Sequence, residues 1–118
     1  MTTVVLFRQG KALVGYRIIG HSTAGAEDQE GCLCCAAVSS AAYMAANTLS
    51  EILHLPLHTE VEDGFMEVRI SEPAERGQAV LEGFAFHIRE LIRQYPGRVR
   101  MKIETAEQPS SSLEELQC

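Results

Sequence analysis

Two hairpin patterns, each followed by one long apolar helix pattern, set what this chain can fold into. Residues 2–8 are β-branched and apolar, Gln9-Gly10 is a turn signal, and residues 12–19 read as a second strand, so the two pair as a hairpin. Residues 57–61 and 65–70 flank Asp63-Gly64, a dipeptide favoured in tight hairpin turns. In the later strand Met66, Val68 and Ile70 share one face and Phe65, Glu67 and Arg69 the other, the alternation of a half-buried strand.

A helix is expected over residues 33–53. It is rich in alanine, and Val38, Ala41, Ala45, Leu49 and Ile52 recur at steps of three and four before Pro56 ends it. After the second hairpin, Ser71 as N-cap and Pro73 in the first turn open another helix. Its stripe runs through Val80, Leu81, Phe84, Ala85, Ile88, Leu91, Ile92 and Tyr95, and Pro96-Gly97 stops it. Residues 98–104 form a last strand with Val99, Met101 and Ile103 inward, and Arg98, Arg100 and Lys102 make a basic stripe on its other face. The order β-β-α-β-β-α-β gives an α+β two-layer sandwich, a largely antiparallel sheet with two helices on one side. Residues 1–105 are expected to form a single domain and residues 106–118 a polar, disordered tail. Phe86 lies opposite its helix's apolar stripe and is a candidate contact with a second copy.

Composition excludes several roles. No apolar run approaches the roughly 20 residues needed to span a bilayer. The opening Met1-Thr2-Thr3-Val4 is not a signal peptide, so a cytoplasmic protein with no membrane role is expected. The net charge of −6 argues against direct nucleic-acid binding and suits a basic protein partner.

Cys32, Cys34 and Cys35 crowd together, and the fourth cysteine, Cys118, ends the chain. With no export signal, the cluster reads as thiols rather than a disulfide framework. Residues 20–31 are small, acidic and aperiodic, a flexible loop that runs from His21 to the cluster at a helix start. A cysteine in the first turn of a helix meets partial positive charge and unpaired N–H groups, which favour the anion. With a histidine as proton shuttle, that is the equipment of a nucleophile. Zinc needs about four ligands, usually as two separated pairs. Cys32-Leu33-Cys34-Cys35 has no second pair, and Pro56 breaks the helix that would align His54 with His58, so no metal and no other cofactor is expected.

Gly20-His21 and Cys35-Ala36-Ala37-Val38-Ser39 together resemble the bacterial ribosomal-processing cysteine protease family (Prp). The resemblance extends in element order over residues 2–104. It implies Cys35 as nucleophile and His21 as general base. It further implies a homodimer that cuts the N-terminal extension from a basic large-subunit ribosomal protein precursor. Ser39 matches the family's serine one turn on. Cys32 stands where the family carries aspartate, so the resemblance implies that the task of orienting the histidine or anchoring the loop is vacant or passes to Asp28 or Glu30, which with Glu27 are also candidates to pair with substrate Lys or Arg. Two other readings stay open: a non-catalytic dimer of the same fold that grips a ribosomal protein, and a thiol redox or metal sensor.

Overall fold

The computed structural model describes residues 1–71 and 73–106; the tail expected beyond Ala106 lies outside them. Strands β1 (Thr2–Gln9) and β2 (Ala12–Ile19) form the first hairpin, and β3 (Leu57–Glu62) and β4 (Phe65–Ile70) the second. Helix α1 (Gln29–Asn47) lies between them, and α2 (Glu75–Gln94) leads to β5 (Val99–Thr105). The sheet order is β3-β4-β2-β1-β5. All neighbours are antiparallel except β1 and β5, which run parallel because α2 carries the chain back across the sheet.

The register explains the core. Met101, Val4, Ile18, Met66 and Val61 lie in one row across the sheet, and Ile103, Leu6, Tyr16, Val68 and Thr59 in the next. Against these rows the helices bury Val38, Ala42, Leu49, Leu81, Phe84 and Ile88. Of the residues expected inward on β5, Val99 is buried but Ile103 is 48% exposed, because it sits at the open edge of the sheet. Tyr16 ties the layers: its ring stacks on Phe84 at 4.2 Å and its hydroxyl donates to the Ala42 carbonyl at 2.6 Å. Burial pushes that phenol well above its usual range, so it stays a donor.

The helix limits differ from expectation in three places. Helix α1 begins at Gln29, four residues early, because Asp28 caps it by accepting from the Gly31 N–H at 3.1 Å. At its other end the chain widens into a π-helical turn, Thr48–Ile52. The wider turn breaks the three-and-four stepping, so Ile52 swings out to 69% exposure while Leu53 packs on the core. Ser71 is not the cap of α2. Its N–H is taken by the Pro56 carbonyl at 3.3 Å, and the helix starts at Glu75 with Ala74 at the cap position. Gln78 anchors that end by exchanging hydrogen bonds with both backbone groups of Leu13, each 2.8 Å.

Residues Gln29–Ile52 contain an 18-residue window of mean hydropathy 1.4 and are long and apolar enough to cross a membrane by length and composition. This corrects the expectation that no such segment exists. The apolarity comes largely from alanine, and Val38, Ala42, Ala45 and Leu49 of this segment are core residues.

Removing the Tyr16 hydroxyl tests the tie between layers. Tyr16→Phe is expected to lower unfolding free energy by about 1 kcal/mol, the worth of one buried hydrogen bond, as a lower urea midpoint at unchanged slope.

Candidate active site

Strand β2 ends at Ile19, and Gly20 turns the chain away from the sheet toward the start of α1. His21 and Cys35 thereby line one open cleft of about 130 Å³. Ser39 and Tyr43 line it one and two helical turns beyond Cys35, and Glu62, Gly64 and Phe65 of the second hairpin line it as well. The hairpin turn between β3 and β4 backs the histidine. The Gly20 N–H donates to the Gly64 carbonyl at 2.8 Å, and a Cβ on Gly64, whose φ is +72°, would stand 3.0 Å from His21 Nε2. Asp63-Gly64 thus does more than turn a hairpin: glycine makes room for the ring, and Asp63 Oδ1 lies 3.8 Å from Nε2. Sequence reasoning missed this pairing because it treated the dipeptide only as turn chemistry.

The thiols separate by environment. Cys34 is wholly buried in the core, Cys32 is exposed, and Cys35 is half-buried in the cleft. Cys32 Sγ lies 3.7 Å from the Gly25 carbonyl and 3.6 Å from Thr23 Oγ1, within the loop. Cys35 Sγ accepts the backbone N–H of Ser22 at 3.1 Å. Because α1 starts at Gln29, Cys35 is in its second turn, beyond the first turn where the helix dipole acts most strongly. That corrects the expected placement of the nucleophile in the first turn. Among the described residues, no group of three or more His, Cys, Asp or Glu side chains is arranged to hold a metal ion.

Neither Asp28 nor Glu30 turns to the histidine. Asp28 accepts from the Ala24 and Gly31 N–H groups at 3.0 and 3.1 Å, and takes both amino groups of Arg98 at 2.6 and 3.0 Å. Glu30 Oε1 lies 3.4 Å from Arg98 Nε. Asp28 is thereby committed within the chain as a support of the loop, while the Glu30 side chain stays 63% exposed. Arg98 correspondingly leaves the basic stripe expected on β5 and points to the loop. On that strand Arg100 Nε donates to Thr3 Oγ1 at 2.9 Å, and Lys102 pairs with Glu104 at 3.3 Å.

Ser22 is the residue that sequence reasoning passed over. Its hydroxyl donates to the Arg98 carbonyl at 3.0 Å and so accepts from Thr2 Oγ1 at 2.6 Å, while its own carbonyl accepts from Arg98 Nη1 at 2.8 Å. It is 5% exposed in a segment otherwise at the surface. No local signal distinguishes it, since all these partners except Cys35 lie at the start of β5 or the start of β1.

A histidine and a cysteine on one cleft, joined through a strand end and a long helix, are the arrangement of a thiol hydrolase. The family model described as cysteine protease Prp matches residues 1–100. The chain belongs to that family. Among solved structures, SMU.848 from Streptococcus mutans is 26% identical with a TM-score of 0.72, over 90% of this chain and 96% of that one. The ribosomal processing protease Prp from S. aureus, in complex with a covalently linked product peptide, is 16% identical with a TM-score of 0.77, over 88% of this chain and all of that one. The same S. aureus protease with a substrate peptide gives 14% identity and a TM-score of 0.73 over the same share of this chain and all of that one. At these identities the S. aureus structures establish the shared Prp fold, including the α+β sandwich. No curated protein matches the sequence significantly.

The loop anchor has a defined pH signature. The Ala24 N–H, then Arg98 and the Gly31 N–H, hold the Asp28 carboxyl at about 2, below its ordinary 3.8. The unfolded chain therefore takes up this proton first as pH falls. The stabilisation is complete above about pH 4 and is lost between 3.8 and 2. Asp28→Asn, which can still cap the helix, is expected to be less stable than the parent at neutral pH and to converge with it near pH 2. Urea midpoints across that range check this, and a constant difference at every pH would contradict it.

Proposed function

We propose that this cysteine protease removes the N-terminal extension of a large-subunit ribosomal protein precursor in a bacterial cytoplasm. Cys35 acts as nucleophile and His21 as general base. The observation that carries the assignment is the shared cleft: of the three clustered thiols, only Cys35 lines it together with a histidine. The peptide enters the cleft between the start of α1 and the hairpin turn at Gly64. His21 takes the thiol proton, Cys35 Sγ attacks the scissile carbonyl, and the proton passes to the leaving amine. Water then releases the acyl group from sulfur. Ser39 borders the peptide's path without entering the proton transfer.

The substrate class is supported by the relatives' printed descriptions, a ribosomal processing protease in complex with a product and a substrate peptide. It is supported also by charge, since a protein of net −6 attracts a basic ribosomal precursor. Glu62 on the cleft wall is an acidic group free of the Arg98 network.

The chain works as a homodimer in this reading. Between α1 and α2 runs an apolar groove of about 770 Å³. Met44 and Phe86 stand on it 70% and 62% exposed, and a second copy presenting the same face would cover them.

Cleavage of the host's own precursor, read by intact mass, tests the assignment. Cys35→Ser and His21→Ala are expected to lose at least about 10³-fold in rate. Cys32→Ser and Cys34→Ser should keep most of it, Cys34→Ser with some loss of stability. Undiminished cutting by Cys35→Ser overturns the reading. Sedimentation of Phe86→Glu tests the dimer: a monomer is expected, and an unchanged assembly places the contact elsewhere.

A further inference from the structure

We propose that the backbone N–H of Ser22 is the donor that stabilises the oxyanion formed at Cys35, and that Arg98 is its positioning residue. The inference rests on the assignment of Cys35 as nucleophile.

An acyl transfer to sulfur needs a fixed donor where negative charge develops on the carbonyl oxygen. The start of α1 is the obvious source, but its donors beside the loop are spent. The Gly31 N–H is bound by the Asp28 carboxylate at 3.1 Å and the Cys32 N–H by the Asp28 carbonyl at 2.9 Å. Cys35 lies inside the helix, where its own N–H belongs to the helical ladder. The N–H of Ser22 is different. It points from outside the helix at Cys35 Sγ, 3.1 Å away, and its acceptor is the atom that changes partner during the reaction.

When Sγ bonds to the scissile carbon, the carbonyl π pair moves to oxygen, and that oxygen lies one bond from the carbon attached to sulfur. The Ser22 N–H then exchanges the sulfur for the oxyanion. On collapse the C–N bond breaks, the amine leaves with the proton held by His21, and the carbonyl re-forms as a thioester.

Such a donor is effective only if it cannot turn away, and every other polar atom of Ser22 is tied down. Its hydroxyl is fixed between Thr2 Oγ1 and the Arg98 carbonyl, and its own carbonyl is held by Arg98 Nη1 at 2.8 Å. Arg98 is immobilised in turn by the two-point pair with Asp28. The approach of these groups needs glycine at position 31, where a Cβ would stand 2.7 Å from both Arg98 Nη1 and Thr23 Cα.

The decisive experiment replaces the His21–Ser22 amide by an ester through semisynthesis, which removes this one N–H and keeps every side chain. With the precursor as substrate, kcat is expected to fall about 100-fold while KM stays within about twofold, as for a donor used only in the transition state. Binding of a peptide aldehyde, whose adduct carries the same oxygen, should weaken by a similar factor. Arg98→Ala should reproduce the loss of kcat, and Arg98→Lys should recover part of it, since an ammonium can reach one acceptor but not bridge two. Rates are taken per folded molecule, read from protection of buried Cys34 against alkylation. An ester variant that keeps kcat within threefold overturns the proposal. If Cys35→Ser is inactive in the same assay, the nucleophile stands and only the donor is wrong. If Cys35→Ser cuts, the underlying assignment has failed instead.

Discussion

The carboxylate of Asp28 is where the chain's otherwise separate parts meet. It caps α1, closes the turn that begins at Ala24, and binds the guanidinium that reaches over from the start of β5. A small acidic loop has no apolar surface with which to order itself, so its conformation must come from hydrogen bonds. Here one side chain supplies them at three points. The anchoring carboxylate stands four residues before the exposed thiol of Cys32.

The sheet's other face shows how a two-layer fold manages without a second cover. Val5 and Phe7 point away from the helices yet are 1% and 3% exposed. Arg69 lies 3.8 Å and Arg17 5.0 Å from the centre of the Phe7 ring, and Glu67 joins them at 2.9 and 2.8 Å. Burial opposes ionisation of Glu67, but the two guanidinium groups outweigh it and its carboxyl stays below the usual range. Planar cations on an aromatic face, bridged by a carboxylate, thus serve as a thin second layer. The apolar alternation of β4 was legible in the sequence, and this charged cover on its reverse side was not.

What could be read from the residues was what depends on near neighbours. Alternation placed the strands, Asp63-Gly64 placed a turn, and the alanine-rich stretch placed a helix. The ends of elements were harder. Asp28 was hidden because Gln29, Glu30 and Gly31 have loop-like composition, although an aspartate ahead of a helix is a capping signal. The π-helical turn at Thr48–Ile52 has no periodic signature and displaced Ile52. Of the site, His21 and Cys35 were reached through a motif resemblance, and the structure supplies the cleft they share. Ser22, Asp63 and Arg98 were beyond reach because their roles depend on contacts between distant segments. Arg98 in particular reads as one more cation on a strand until the fold brings it to Asp28, 70 positions away.

The parallel pairing of β1 with β5 has a consequence in time. Arg98 follows Ser22 by 76 positions, and the strand it precedes is the last in the chain. A nascent chain that has emerged as far as α2 already holds His21 and Cys35, but Asp28 then lacks its guanidinium partner and Ser22 lacks its contacts with Arg98. Those contacts form only when the latest strand docks beside the first. A chain that ends before position 98 therefore leaves this loop without its tie to the far end of the sequence.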